Sequence, residues 1–484
     1  MNENKDFLKK AADLTPELIR RNVTAQGSPS PLAANDTVCL DFGEHLVGYV
    51  TLKFGYTGSH PDAPVLLRLR FAERSEELSE SMEDYHGWIC SSWVQQEQIH
   101  VDIIPGSISL PRRYAFRYLK IDVLSISDRF RLLVNGAECM AVSSADNSAL
   151  TPYVTSDDEL RRLDDIACRT LHECMQTVFE DGPKRDRRLW MGDLYLQALS
   201  DYHTFRNFDL VKRCLYLFAG STLPDGRISA SIFTEPEPCA DDMAMFDYSL
   251  LFIPALLDHY EECGDMDTLR ELWPAAWRQI ELSQAYFDST DLIRDSDAPG
   301  WCFVDWNLSL NKQASAQGIY LYCLKAAEKI AEILGLTDKR SWIINDMEKK
   351  CSAAVKYLYD RERGVFISGS DRQVSWASQI WMILGGVIND SSVFDRLRGL
   401  SATAMITPYM YHYYVQALIN LGEKEAALKV MTDYWGGMVK AGAETFWEMF
   451  DPEHPGASPY GGTIVNSYCH AWSCTPAYFL RKYF

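Results

Sequence analysis

The chain has 484 residues, with 47 Lys and Arg against 67 Asp and Glu, a formal net charge of −20. At 47% hydrophobic and 24% charged residues it has a globular rather than a disordered composition. The negative balance argues against a nucleic-acid partner, which needs a basic surface, and with no run of ~18 apolar residues nothing is expected to span a membrane. Residues 1–36 read as an N-terminal helix, Asn4–Arg21, followed by a linker containing Gly27, Pro29 and Pro31. The first eighteen residues are charged and hold no apolar core of the secretory type. The 13 cysteines stand singly, without CxxC pairs. Together these predict reduced thiols and a cytoplasmic location.

From 37 to 150 the pattern is that of short strands. Segments such as Leu46–Phe54, Val65–Phe71, Gln98–Ile104 and Tyr118–Val123 alternate or run β-branched, separated by Gly, Pro, Ser and Asp, which predicts an antiparallel β-sandwich. The period changes to 3.6 at Ser156-Asp157-Asp158-Glu159, an N-terminal helix signature. About a dozen amphipathic runs then fill 151–484, the last expected over 466–480. Helices in pairs with long loops after alternate members suit an α/α barrel of six hairpins, with the long loops gathered at one mouth. The fold class is therefore mainly α, a barrel preceded by a β-sandwich.

HExxH, P-loop, GxGxxG, Cys/His ligand spacings and DxDxDG loops are all missing from the sequence, so no metal or cofactor is expected. Chemistry falls to carboxylates and His. The densest polar segment runs from Glu180 to Asp193 and sets Asp181, Asp186 and Asp193 among Lys184, Arg185, Arg187 and Arg188, next to Trp190. Gly182-Pro183 makes it a loop that enters a helix near Gly192. A second cluster, Gly442–Asp451, flanks Glu448 with Trp447 and Phe450, and desolvation by these rings predicts a raised pKa for Glu448. Further aromatic-acid knots lie at Gly300–Trp306, with Trp301, Asp305 and Trp306, and at Asn466–Trp472, with His470 and Trp472. Several carboxyls among tryptophans suit glycoside cleavage, in which one acid protonates the leaving oxygen and another group activates water or attacks carbon. Apolar sugar faces stack on aromatic rings, while hydroxyls bond to charged side chains.

The segment DGPKRDRRLWMGD resembles the signature loop of bacterial α-L-rhamnosidases, family 78 of the glycoside hydrolases. VDWNL at 304–308 is similar to that family's Gly-Asp-Trp loop, GAETFWEMFD to its Gly-Ala-Thr-Thr-x-Trp-Glu loop, and NSYCHAWSCTPAYFL to its closing helix. The resemblance spans about 37–484 and implies an (α/α)6 barrel and an inverting mechanism, with acid and base ~6.5–9.5 Å apart. Carried over by position, it implies Asp186 as general acid and Glu448 as general base. Asp181, Arg185, Trp190, Asp193, Asp305, Trp306, Trp447 and His470 would bind the sugar. The family acid is usually Glu where this chain has the shorter Asp186, and Glu444 stands where Thr is common. The nearby cations would lower an acid's pKa unless they point elsewhere. Members carry further β-domains, so a minimal two-domain form is expected. The implied activity is exo-acting removal of terminal L-rhamnose from small glycosides. Another terminal deoxy- or uronic-sugar hydrolase on the same barrel, or a non-catalytic carbohydrate-binding homologue, are the alternatives.

Overall fold

A computed structural model of the chain describes residues 2–80, 82–295 and 302–484. Helix α1, Asn2–Asp13, ends where Thr15-Pro16 turns the backbone away from the α region, eight residues short of the expected Arg21. Residues expected as a linker then form strand β1, Ile19–Leu32, which pairs antiparallel with β7, Phe130–Ser143. β1 is the outermost strand of the sheet, and an edge tolerates the prolines and polar residues that hid it from a reading by alternation. α1 meanwhile docks on the helical half: Phe7 packs against Tyr216, Lys10 pairs with Glu271 at 2.5 Å, and Arg213 donates to the Ala11 carbonyl.

The remaining strands are β2 (Thr37–Gly58), β3 (Val65–Ala72), β4 (Gln96–Val101), β5 (Gly106–Ser109) and β6 (Tyr114–Ser125). They join one antiparallel sheet in the order β1-β7-β2-β6-β3-β4, with β5 also on β2. The 22-residue β2 changes partners midway, from β6 over 37–48 to β7 and β5 over 48–58. Alternate residues such as Leu40, Leu52, Leu67, Leu69, Phe116 and Leu132 face a single apolar core.

Twelve α-helices follow among the described residues. Six are nearly sealed from water: α3 (Met191–His203), α5 (Phe246–Cys263), α7 (Gln313–Ile333), α9 (Trp376–Leu384), α11 (Pro408–Asn420) and α13 (Pro476–Tyr483). Each packs on the next, α11 meets the turn Ala471–Ser473 that leads into α13, and α13 returns to α3. The other six alternate with them in sequence and lie outside: α2 (Asp158–Cys174), α4 (Phe208–Gly220), α6 (Met266–Ser283), α8 (Thr337–Tyr357), α10 (Ser392–Arg398) and α12 (Lys424–Lys440). This is the (α/α)6 barrel. The contrast in burial follows from the rings: every residue of α3 from Met191 to Tyr202 is buried, whereas α8 buries only five. α2 starts where its sequence signature lies, with the Asp157 carboxylate capping Glu159 and Leu160 N–H groups at 2.9 and 3.1 Å. Gly192 lets α3 approach α5, since a Cβ there would meet the Tyr248 ring at 2.3 Å. Among the described residues no helix is long and apolar enough to cross a membrane.

The closing helix departs from expectation. α13 begins at Pro476, and residues 466–470 are not helical, because their backbone is committed to other segments. Tyr468 N–H donates to Glu73 of the sheet domain at 2.7 Å, His470 N–H to the Phe446 carbonyl at 2.9 Å, and Ala471 N–H to the Asp181 carbonyl at 2.8 Å.

Candidate active site

Three segments remote in sequence meet at one end of the barrel. The first folds back on itself: Asp181 accepts the Asp186 N–H at 3.0 Å and the Arg188 N–H at 3.1 Å through its two carboxylate oxygens. It ends in strand β8, Leu189–Trp190, which pairs with β9, Ser231–Phe233, and delivers Trp190 to the start of α3, with Asp193 in the first turn. The second segment carries Glu448, whose N–H donates to the Ser467 carbonyl at 3.1 Å and whose own carbonyl receives the Trp472 indole N–H at 2.9 Å. The third is the non-helical run that holds His470.

Between them lies a cavity of about 340 Å³. Asp181, Arg185, Asp186, Trp190, Asp193, Trp306, Glu448 and His470 all line it. Two expected residues do not. The Asp305 carboxylate is engaged by the Ile406 N–H at 2.9 Å, the Thr407 hydroxyl at 2.6 Å and the Trp306 N–H at 3.0 Å, so it shapes the loop that presents Trp306. Trp447 points to the opposite side of its strand-like loop, where the Arg74 guanidinium covers its ring at 4.4 Å. Trp301 lies outside the described residues. Glu444 also turns to the sheet domain and pairs with Arg117.

Lys184, Arg187 and Arg188 are engaged away from Asp186, whereas Arg185, bonded to Glu448, also feels the Asp186 charge. Lys184 is buried against Glu77 and the Asn466 carbonyl. Arg187 donates to the carbonyls of Pro183 and Arg113 at 2.8 and 2.9 Å. Arg188 stacks on Phe233 and lies 3.6 Å from Asp241. Arg185 reaches Glu448 Oε2 and the Val465 carbonyl, each at 2.5 Å.

This last contact corrects the expectation for Glu448. Burial does disfavour its charge, but Arg185, His470 and the Tyr460 hydroxyl more than offset it and hold the carboxyl below its usual pKa. The opposite holds across the cavity. Burial, with Asp186 and Asp193 alongside, pushes Asp181 up to about 8, and burial likewise raises Asp193. His470 bridges the two sides. Its Nε2 lies 3.1 Å from Asp193 Oδ1 and its Nδ1 3.4 Å from Ser467 Oγ. Burial opposes its charge, yet Glu448 and Asp193 outweigh burial and raise its pKa. The site thus separates a proton-holding wall from an ionised carboxylate, the division that acid–base chemistry on two carboxyls requires.

The cavity also takes residues that sequence reasoning missed. Tyr460, which donates to Glu448, sits in a Pro- and Gly-rich loop with no spacing signal. Tyr248, Phe303 and Met245 come from α5, its N-cap and the loop before α7. Trp88, Ile89 and Trp93 come from the sheet domain, between β3 and β4. Two tryptophans in a polar loop outside any strand period were the available clue.

The glycosyl hydrolase family 78 alpha-rhamnosidase N-terminal domain matches residues 19–141, and the bacterial alpha-L-rhamnosidase 6 hairpin glycosidase domain matches 150–484. Among curated proteins no relative matches. The chain is similar to the solved rhamnosidase from Klebsiella oxytoca with rhamnose bound: 45% identity, TM-score 0.95, covering 99% of this chain and 98% of that one. It shares the fold of the family 78 rhamnosidase of Bacillus sp. GL1, at 20% identity and TM-score 0.79, covering 95% of this chain and 47% of that one. The α-L-rhamnosidase from Dictyoglomus thermophilum is alike in fold at 16% identity and TM-score 0.72, covering 96% and 51%. With the helical match running from 150 to the last residue, the chain belongs to glycoside hydrolase family 78, the bacterial α-L-rhamnosidases.

Proposed function

We propose that the protein is an exo-acting, inverting α-L-rhamnosidase that removes terminal L-rhamnose from small neutral glycosides. Asp186 acts as general acid and Glu448 as general base. The observation that carries this reading is the opposed electrostatics of the cavity, with Glu448 below its usual pKa facing Asp181 raised to about 8 beside Asp186. An ionised Glu448 takes a proton from water as it attacks the anomeric carbon. Asp186, held beside Asp181 by its own N–H, gives its proton to the leaving oxygen. Asp181, Asp193, Arg185 and His470 offer donors and acceptors for the sugar hydroxyls, while Trp190 and Trp306 offer apolar faces for the ring and its 6-methyl group. The rhamnose-bound relative at 45% identity supports the choice of sugar. The charge of −20 disfavours polyanionic substrates. A cytoplasmic setting belongs to the same reading, because 13 scattered cysteines suit a reducing compartment.

The test is hydrolysis of 4-nitrophenyl α-L-rhamnopyranoside, within a panel of nitrophenyl glycosides, by the wild type and by Asp186→Asn and Glu448→Gln. The account expects rhamnoside preference and a loss of ~10²- to 10⁴-fold in Glu448→Gln. Undiminished turnover in both variants would overturn the roles, and preference for another glycone would overturn the substrate.

A further inference from the structure

The polar lining of the cavity is its floor. Asp181, Arg185, Asp193, Glu448 and His470 are all at most 5% exposed. The outer lining has another character: Trp88, Ile89, Trp93, Met243 and Trp306 are partly or largely exposed and apolar. Trp88 is the extreme case, 67% exposed. An indole so exposed forgoes most of the gain of burial, yet this one is held in place. Its N–H donates to the Pro459 carbonyl at 2.9 Å, and its ring lies 5.2 Å from Tyr460 and 6.4 Å from Trp306. The loop beneath it is pressed onto the base-side loop. Tyr85 donates to the Tyr460 carbonyl at 3.1 Å, and a Cβ on Gly87 would come within 1.8 Å of the same oxygen.

A pinned, water-exposed ring at the rim of a sugar pocket is a platform awaiting a flat partner. In an exo-acting glycosidase the glycone fills the floor and the leaving group projects through the rim. Resting on the rhamnosidase reading above, we propose that the loop between β3 and β4 supplies the leaving-group subsite, and that Trp88, with Trp306 beside it, receives an aromatic aglycone. The rim favours an aryl group over a second sugar. Sugar hydroxyls would each need a polar partner, and Arg188 is turned to Phe233 and Asp241. Met243 adds a polarisable sulfur, which adapts to ring edges.

The experiment is calorimetric titration of wild type, Trp88→Ala and Trp88→Phe with L-rhamnose and with phenyl 1-thio-α-L-rhamnopyranoside, whose sulfur link resists hydrolysis. A thio-linked rhamnosyl-glucose forms a third arm. Trp88→Ala is expected to weaken the phenyl ligand ~3- to 10-fold, the worth of an aromatic stack, while L-rhamnose binding stays within about twofold. Trp88→Phe keeps a ring but loses the N–H, and should retain most of the phenyl affinity. Equal weakening of rhamnose and phenyl ligand would mean that Trp88 only props Tyr460 and would overturn the proposal. So would no change at all, or a loss confined to the disaccharide. If the wild type binds neither L-rhamnose nor the thioglycoside, the rhamnosidase reading falls and this one with it.

Discussion

The two walls of the cavity are built by different means and carry opposite charge tendencies. The carboxyl-rich wall is local: Asp181, Asp186 and Asp193 lie within 13 residues, and two backbone amides of the same loop fix Asp181. The base wall is assembled at long range. Glu448 is gripped by Arg185, 263 positions away, and by Tyr460. Its support runs on into the sheet domain, through buried Lys184 on Glu77, Arg74 over Trp447 and Glu80 accepting the Ile464 N–H at 3.0 Å. The same loop that carries Asp186, the proposed acid, therefore supplies, one residue earlier, the cation that lowers the pKa of Glu448, the proposed base. One short segment contributes to both walls, and the sheet domain holds that segment against the barrel.

The largest effects should separate the walls by leaving group. Glu448→Gln should slow hydrolysis of nitrophenyl and methyl α-L-rhamnosides alike, by ~10²- to 10⁴-fold, since water must be activated in both. Asp186→Asn should match that loss on the methyl glycoside and lose far less on the nitrophenyl one, whose leaving group departs without a proton. Equal losses on both substrates in Asp186→Asn would deny Asp186 the acid role. Next comes the brace. Burial raises Glu77 to about 7 in spite of Lys184, so at pH 8 Glu77 is mostly ionised. Glu77→Gln, which leaves Lys184 only the Asn466 carbonyl at 2.9 Å and Glu73 at 3.8 Å, should cost about 1–3 kcal/mol in denaturant unfolding. A change below ~0.5 kcal/mol, the size of an ordinary surface substitution, would mean that the sheet domain does not hold the segment.

The smallest effects are in the pH profile of kcat/KM. On the acidic side Glu448 must lose its proton, and its pKa is lowered, so the limb lies below that of an ordinary Glu. Tyr460→Phe removes a donor to the carboxylate and should move that limb upward. On the alkaline side activity should fall as pH rises through about 8, where Asp181 ionises beside Asp186. This limb belongs to the coupled carboxyls together, and Asp181→Asn should displace it. An unmoved acidic limb in Tyr460→Phe, or an unmoved alkaline limb in Asp181→Asn, would break the contrast between the walls.

The same contrast explains what could be read from sequence. The acid wall is a run of neighbours, so its residues and the helix that follows at Met191 were legible from Gly182-Pro183 and the spacing of the carboxyls. The base wall was legible as a set of loops but not in its electrostatics. Trp447 and Phe450 flank Glu448 in sequence and suggested a raised pKa, whereas in space the deciding neighbours are Arg185, His470 and Tyr460. The resemblance of VDWNL to a family loop implies Asp305 as a sugar ligand, but an acid beside a tryptophan looks alike in sequence whether it faces a cavity or caps a loop. Strand β1 was hidden because an edge position admits Pro and polar residues. The helix expected over 466–480 was overcalled because apolar spacing cannot show that the backbone amides of Tyr468 and His470 are bonded elsewhere. Trp88 left no periodic trace, since loops that cross between domains obey neither the 2.0 nor the 3.6 period.

The two-walled account makes one stereochemical demand, because an acid and a base on opposite faces of the sugar place water opposite the leaving group. Proton NMR of the first-formed sugar, recorded before mutarotation while the wild-type protein hydrolyses an aryl α-L-rhamnopyranoside, reads this directly. The account predicts β-L-rhamnose as the initial product, decaying to the equilibrium mixture. Initial release of α-L-rhamnose would show that a carboxylate attacks the anomeric carbon, and would contradict the assignment of Glu448 as a base acting through water.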